Sequence, residues 1–460
     1  MGISLLSMKR SLAAGFGIAA MFVQPFAPVF PCAHAAELGA NGPKGESGHR
    51  KWGPEMVVPL SLERIAALPE PERDAWTQYW ERSQASKEHD KKSLDAEVKA
   101  QGIENSIPTL EYLGTQVTFD SRKPLSWYAS EEARKLAETM ISYQAPNGGW
   151  CKAINYGKGP RQPAATWFPV THPTKRNWWI YSATFDNGAT TKQMRFLARA
   201  FRATGREEYR RSFITGLDYI FAAQYPSGGW PQVYPLKHSY NDGITFNDDV
   251  VVSVMELLRD VAGDNPEFSF VDAERRQRAG KAVQDGLRMI LKAQVVRAGK
   301  PTVWGAQHDP LTIEVTGARR IEPPALSGAE SAAILRYLMQ IKNPPPEVVR
   351  SIEGALSWFE SSKITGIRQT TREGYVYYES DPASQTQWWA RFYDPSTNKP
   401  VFSGHEDGIV YGSFQEMWNN GNRNSYDYYT QRPSSILARE LPKWRKMIAS
   451  TSKQVSTKNQ

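Results

Sequence analysis

Tyr143-Gln144-Ala145-Pro146-Asn147-Gly148-Gly149-Trp150 closes one segment of apolar periodicity, and Gln224-Tyr225-Pro226-Ser227-Gly228-Gly229-Trp230 closes the next. A looser third version runs from Gln294 to Trp304. Self-similarity at roughly 70–80 residues marks a helical hairpin repeated around a ring or along a stack, because one hairpin cannot bury its apolar face alone. The intervening stretches, such as SEEARKLAETMISYQ, ATTKQMRFLARAFRATG and DDVVVSVMELLRDVA, carry apolar residues at three- and four-residue spacing between Gly, Pro, Asp and Asn. The expected fold is all-α, an α/α toroid of helical hairpins with an N-terminal helical appendage. In such a fold the Gly-Gly-Trp loops gather at one end, where a cleft forms.

Outward from the repeats, four regions are expected. Residues 1–35 have the layout of a signal peptide: Lys9 and Arg10, an apolar run from Leu12 to about Val23, and a small-x-small site at Ala33-His34-Ala35. An uncleaved anchor is the alternative. Residues 36–110 form a Gly/Pro-rich leader and charge-dense exposed helices; residues 111–446 form the body; residues 447–460 form a basic tail. Neither end carries a catalytic pattern. A secreted or periplasmic location follows from the leader peptide.

The chain of 460 residues has 40% hydrophobic residues and 15 Trp, enough for a large core and incompatible with wholesale disorder. After cleavage only Cys151 remains of the two cysteines, so stability must come from packing and no internal disulfide is possible. Formal charge is +8, and loss of Lys9 and Arg10 would leave +6. A positive field concentrates polyanions, though charge alone does not choose among nucleic acid, anionic lipid and acidic glycan. No P-loop, dinucleotide glycine fingerprint, zinc spacing or Gly-x-Ser-x-Gly elbow is present, which argues against nucleotide and zinc chemistry.

Four segments can carry chemistry. Ser182-Ala183-Thr184-Phe185-Asp186-Asn187-Gly188-Ala189-Thr190-Thr191 puts a carboxylate and an amide before a helix, as an N-cap or a ligand pair. Tyr240-Asn241-Asp242-Gly243-Ile244-Thr245-Phe246-Asn247-Asp248-Asp249 does the same at another helix start, and two such loops can share a hard cation such as calcium. In Trp304-Gly305-Ala306-Gln307-His308-Asp309, His308 is either a structural bridge or a base or substrate contact. Arg319 and Arg320, in the next loop, are solvated surface or carboxylate clamps. Trp388-Trp389-Ala390-Arg391-Phe392-Tyr393-Asp394 and Phe402-Ser403-Gly404-His405-Glu406-Asp407-Gly408 mix aromatic and charged groups suited to sugars.

Together NGGWCKAI, SATFDNGATT, SGGWPQVYPL with YNDGITFNDD, TVWGAQHDPLT, GARRIEPPALSGAES and WWARFYD resemble family 10 polysaccharide lyases, the pectate lyases, over about residues 126–440. That resemblance implies a toroid, Ca2+ dependence and cleavage of polygalacturonate by β-elimination. It also implies Asp186 and Asp248 as calcium ligands, Arg319 as catalytic base, and Arg391 as a contact to the substrate carboxylate. Asn187, Lys152, His308 and His405 are expected around the substrate, with Lys152 or Lys281 adding to the positive field. The partner is then polygalacturonate, with no nucleic acid and no membrane after signal cleavage, and the protein is expected to be a monomer. One departure stands out: where the family shows Phe-Ser-x-Arg-Asp-Gly, this chain has His405 for the arginine and one extra residue, and imidazole titrates near neutrality where guanidinium does not. A glycoside hydrolase using Asp186 and Asp248 as acid and base, or a non-catalytic glycan binder, are the alternatives.

Overall fold

The computed structural model describes residues 50–110, 122–152, 154–171 and 182–458. The expected signal peptide and the first part of the leader lie outside the described residues. The helices that matter are α1 (Glu72–Ala100), α2 (Glu131–Ser142), α3 (Thr191–Thr204), α4 (Glu207–Ala223), α5 (Val250–Ala262), α6 (Ala273–Ala293), α7 (Glu330–Met339) and α8 (Pro346–Ser361). Their ends follow local chemistry. Ser130 accepts from Ala133 N–H and Asp272 from Arg275 N–H at two N-termini, and Gly205 takes the left-handed conformation past the end of α3.

α3 packs on α4, α5 on α6, and α7 on α8. α3, α5 and α7 also pack side by side in order, as do α2, α4, α6 and α8, so the hairpins stand in two rows. The middle member of the inner row, α5, buries Val250, Val251, Val252, Val254, Met255, Leu257, Leu258 and Val261. Burying each such side chain stabilises by about 1.5–3 kcal/mol relative to exposure.

The repeated loops explain the regularity. Gln144, Gln224 and Gln294 each end an outer-row helix. Each side-chain amide donates twice, to its own loop (Gly148, Gly228 and Thr302 carbonyls) and to the next outer helix (Ser212, Ala282 and Ser351 carbonyls), at 2.7–3.0 Å. Trp150, Trp230 and Trp304 are fully buried, and each indole N–H returns to the helix that precedes it, at Met140, Ile220 and Ile290. Gly148 and Gly228 have φ of +99° and +98°, and a Cβ on either would run into the backbone of the neighbouring outer helix. The third loop is looser because a two-residue hairpin, Val296–Arg297 against Lys300–Pro301, is inserted between its Gln and Trp.

Short strands, too brief to show alternation in the sequence, tie the loops together. β1 (Ile244–Thr245), β2 (Gln307–His308) and β3 (Val315–Thr316) form one antiparallel sheet, with Ile244 opposite His308 and His308 opposite Val315. β4 (Leu326–Ser327), β5 (Phe392–Tyr393), β6 (Pro400–Ser403) and β7 (Val410–Tyr411) form another, with Phe392 between Ser327 and Val401.

The N-terminal helices, expected to be exposed and packed on the body as an appendage, make these contacts with it. α1 lies on α4; Trp76 and Tyr79 are buried in the main core, Tyr79 OH donates to Ala223 O (3.2 Å), and Asp90 receives the Asn147 backbone N–H (2.9 Å). Among the described residues, no helix is long and apolar enough to cross a membrane.

Because the Gln294 amide is buried and donates to two buried carbonyls, one on its own loop and one on the next outer helix, Gln294→Ala is expected to lower the unfolding free energy by about 2–3 kcal/mol. Urea titration checks this, and a loss under about 0.5 kcal/mol would mean the staple is not what joins successive outer helices.

Candidate active site

Each Trp that closes a loop also starts a functional one. The carbonyls of Trp150, Trp230 and Trp304 accept N–H groups from Thr184, Thr245 and Ser327. Asp186, Asp248 and Glu330 follow two or three residues later, at or beside the N-termini of the turns and helices leading into α3, α5 and α7. An N-terminus is where the helix dipole favours a carboxylate. Phe185-Asp186-Asn187 and Phe246-Asn247-Asp248 trace the same turn, with the left-handed residue at Asn187 (φ 55°) and Asp248 (φ 52°). The two turns lie against each other.

Asp186 is 3% exposed. Its Oδ2 is ion-paired with Lys152 Nζ, and its buried Oδ1 has no hydrogen-bond partner. Burial works against its charge, but the Lys152 ammonium outweighs that and holds the Asp186 carboxyl below the usual range. Asp248 is driven the other way, first by burial and then by the negative charge of Asp186. The Asn247 amide donates to Asp248 Oδ2 at 3.2 Å. Asn187 is exposed, and its carbonyl accepts from Lys192 (2.7 Å).

Arg391 lies between these loops. Its Nη2 donates to Glu330 Oε1 (2.7 Å) and Asn247 Oδ1 (2.9 Å), its guanidinium sits 4.7 Å from the Tyr426 ring centre, and its buried Nε has no partner. Glu330, 1% exposed, is also bonded to Ser327 Oγ. Burial opposes the Arg391 charge, but Glu330 overrides it and pushes the guanidinium pKa up.

Arg319 is held by a second buried acid. Glu322 takes a fork of hydrogen bonds from Nε (2.9 Å) and Nη2 (2.5 Å) and a third from the Arg319 backbone N–H (3.2 Å). The Glu322 side chain is 2% exposed and that of Arg319 48%. Partial desolvation opposes the charge, but Glu322 wins and raises the Arg319 pKa further above its ordinary value. Arg319 Nη1 makes no hydrogen bond among the described residues. Tyr240 feels Arg319, Glu322 and Asp186 together, which places the arginine loop and the acid pair in one electrostatic neighbourhood.

His308 is fully buried. Its Nε2 accepts from Gly305 N–H (3.0 Å) and its Nδ1–H donates to Ile313 O (2.8 Å), so the ring bridges β2 to its flanking turns and is closed to a substrate. Burial lowers its pKa to about 4. Lys281 stands exposed on α6, paired with Asp285 (2.7 Å), and joins none of the groups above. His405 is exposed on the turn between β6 and β7 with Nδ1 2.9 Å from Glu406 Oε1. That turn borders the arginine loop, because Arg320 Nη1 donates to Glu406 O (2.8 Å) and Ser403 Oγ to Arg320 O (2.7 Å).

Glu322, Glu330, Tyr240 and Tyr426 carry no role in the sequence reading, although the first three sit inside segments quoted there. Together, Lys152, Arg319 and Arg391 face Asp186, Asp248, Glu322 and Glu330, one carboxylate in excess. Among the described residues no group of three His, Cys, Asp or Glu stands ready to hold a metal. The Asp186–Asp248 pair nevertheless suits a hard cation in donor type: two like charges forced together, and one buried oxygen left unbonded.

The family model for pectic acid lyase matches residues 144–437, well over half of the chain. Two solved structures are similar. An Asp-to-Ala mutant of a family 10 polysaccharide lyase from Cellvibrio cellulosa, in complex with trigalacturonic acid, is 29% identical with a TM-score of 0.58, covering 68% of this chain and 94% of that one. A family 10 polysaccharide lyase from Cellvibrio cellulosa is 28% identical with a TM-score of 0.57, covering 72% and 98%. No curated protein matches. The chain is therefore similar in fold to family 10 polysaccharide lyases. The chain belongs to the pectic acid lyase family and is an enzyme, a pectate lyase, which sets aside the hydrolase and the non-catalytic binder.

The His308 geometry has a measurable consequence. Above pH about 6.5 the imidazole is neutral in both states, and between about 6.5 and about 4 only the unfolded chain takes up the proton, so stability falls as pH falls through that window. His308→Gln removes this contribution. Its stability deficit relative to wild type should shrink by up to about 3 kcal/mol between pH 7 and pH 4, read from denaturant midpoints, whereas a constant deficit would contradict the neutral buried ring.

Proposed function

We propose that the chain cleaves polygalacturonate by calcium-dependent β-elimination to give 4,5-unsaturated oligogalacturonides, acting as an exported monomer whose two rows of helices form part of an α/α toroid. The observation that carries this reading is the Asp186–Asp248 pair set beside three cations, Lys152, Arg319 and Arg391. The likeness to a lyase bound to trigalacturonic acid supports an acidic galacturonide as the ligand.

Elimination removes the proton on C5 of a uronate and expels the C4 oxygen, and the barrier lies in the negative charge that builds on the adjacent carboxylate as the C–H bond breaks. Asp186 and Asp248 would hold Ca2+, with carbonyl, water and substrate oxygens completing a shell that two carboxylates cannot fill. When bound, the ion supplies Lewis-acid stabilisation of the substrate carboxylate. Lys152 keeps Asp186 ionised and so ready to ligate. Arg391, fixed by Glu330 and Asn247, would set its positive charge beside a substrate carboxylate without first having to reorganise.

The role of Arg319 as base rests on the family resemblance. Its fork with Glu322 keeps it protonated in this state, so base action requires the guanidinium to give up a proton once substrate covers the cleft and further cations surround it. Glu322 fixes the direction in which the guanidinium points, and Nη1 is the nitrogen left over to meet the C5 hydrogen.

The test is ultraviolet absorbance of unsaturated ends from polygalacturonate. Wild type with calcium should generate it, chelator should stop it, and Arg319→Ala should lower kcat by about 10²–10⁴-fold. Turnover that persists in chelator would remove calcium from the reaction, and an Arg319→Ala enzyme of near-normal kcat would remove the arginine.

A further inference from the structure

Arg50–Val57 precedes the residues matched by the family model and belongs to the leader, to which the sequence assigns no chemistry. Yet it is threaded between the two loops that flank the site. Trp52 N–H donates to Gly408 O (2.8 Å), Val410 N–H donates to Arg50 O (2.9 Å), and Lys51 pairs with Ile409 as an antiparallel bridge. On the other side the Trp52 indole N–H donates to the backbone carbonyl of Arg319 at 3.1 Å. Gly317 lies so close under the indole ring that a Cβ there would overlap it.

Trp52 also centres a second apolar cluster, separate from the main core, made of Ala306, Ala325, Phe392, Val401 and Val410 with Met56, Val57 and Tyr426 packed on it. This cluster borders the Asn247–Asp248 turn and Arg391. The Ala306 carbonyl accepts the Phe246 and Asn247 N–H groups, Phe392 follows Arg391, and Tyr426 lies under the Arg391 guanidinium. The segment is pinned at Arg50 by Asp394 (2.9 Å), and farther along the chain Arg64 pairs with Asp309 (2.7 Å).

We propose that Trp52 is a positioning residue for Arg319, and that the strand Arg50–Trp52 clamps the Arg319 loop against the His405 turn to complete the wall of the active site from outside the catalytic body. The proposal rests on the reading of Arg319 as a catalytic group. The loop Gly317–Glu322 is short, and its backbone bonds are its own, Ala318 N–H to Glu322 O and Glu322 N–H to Arg319 O. Within the loop, then, nothing fixes where the whole turn sits. The indole bond and the Ser403 bond to Arg320 O supply that reference from two neighbouring segments. A guanidinium displaced by about 1 Å can cost on the order of 10²-fold in rate even when its chemistry is intact.

The experiment compares kcat and KM on polygalacturonate for wild type, Trp52→Phe, Arg50→Ala, Arg319→Ala and Tyr79→Phe, each measured well below its own melting temperature. Trp52→Phe keeps an aromatic ring on the cluster but removes the pyrrole ring and its N–H, and kcat should fall roughly 5–50-fold with KM within about 2-fold. Arg50→Ala, which loosens the strand without touching the indole, should show the same split at smaller size. Tyr79→Phe loses a bond from α1 to α4 and serves as the stability control, with kcat unchanged. If Trp52→Phe and Arg50→Ala keep wild-type kcat while Arg319→Ala is inactive, the positioning role is overturned and the catalytic reading stands. A fully active Arg319→Ala overturns the catalytic reading first, and the positioning role with it.

Discussion

The carbonyl of a buried tryptophan is the point from which each functional loop hangs. Trp150, Trp230 and Trp304 are locked by their indole N–H groups to the preceding outer helix, and their backbone oxygens receive Thr184, Thr245 and Ser327. The outer helices are spaced in turn by the Gln144, Gln224 and Gln294 amides. A carboxylate placed two or three residues beyond such an anchor inherits its position from the core. Asp186, Asp248 and Glu330 are thus delivered to one place by three copies of the same device, and the site needs no long loop of its own.

Much of this was legible in the chain and some was not, for reasons that follow from distance along it. The Gln-to-Trp loops are local, so their spacing announces the repeat, and the Asp-Asn and Asn-Asp pairs at helix starts single out the acid-bearing turns as caps or ligands. Glu330 and Glu322 sit in quoted motifs, but an acid before a helix reads as a cap until its partner is known, and Arg391 lies 61 residues from Glu330. Trp52 is 267 residues from Arg319, with no pattern to join them. His308 has two readings in sequence that only burial separates, since a ring bonded at both nitrogens has nothing left for a substrate.

The leader shows the same limit. Its charge density and Gly/Pro content describe a solvated segment, and on most of its length α1 is one. The residues that matter are the few apolar ones, Trp52, Leu60, Ile65, Trp76 and Tyr79, which are buried on the body. Composition averages these anchors away, although each buries far more apolar surface than its charged neighbours.

The electrostatic design of the cleft turns on pairing. A bare guanidinium or carboxylate in a buried site carries a desolvation cost of several kcal/mol, so each cation here is bound to an acid before any substrate arrives: Lys152 to Asp186, Arg319 to Glu322, Arg391 to Glu330. The acids are the more deeply buried partners of the two arginine pairs, so they act as fixed posts for the guanidinium groups. Asp248 alone has no cation bonded to it among the described residues, and its carboxyl is pushed up by burial and by Asp186. Among the described residues of the site, Asp186 Oδ1 and Arg391 Nε are buried without a hydrogen-bond partner. On the proposed reading, the crowded acid pair would meet a divalent cation and the arginines the carboxylates of the polymer, so that one approach answers charges of both signs.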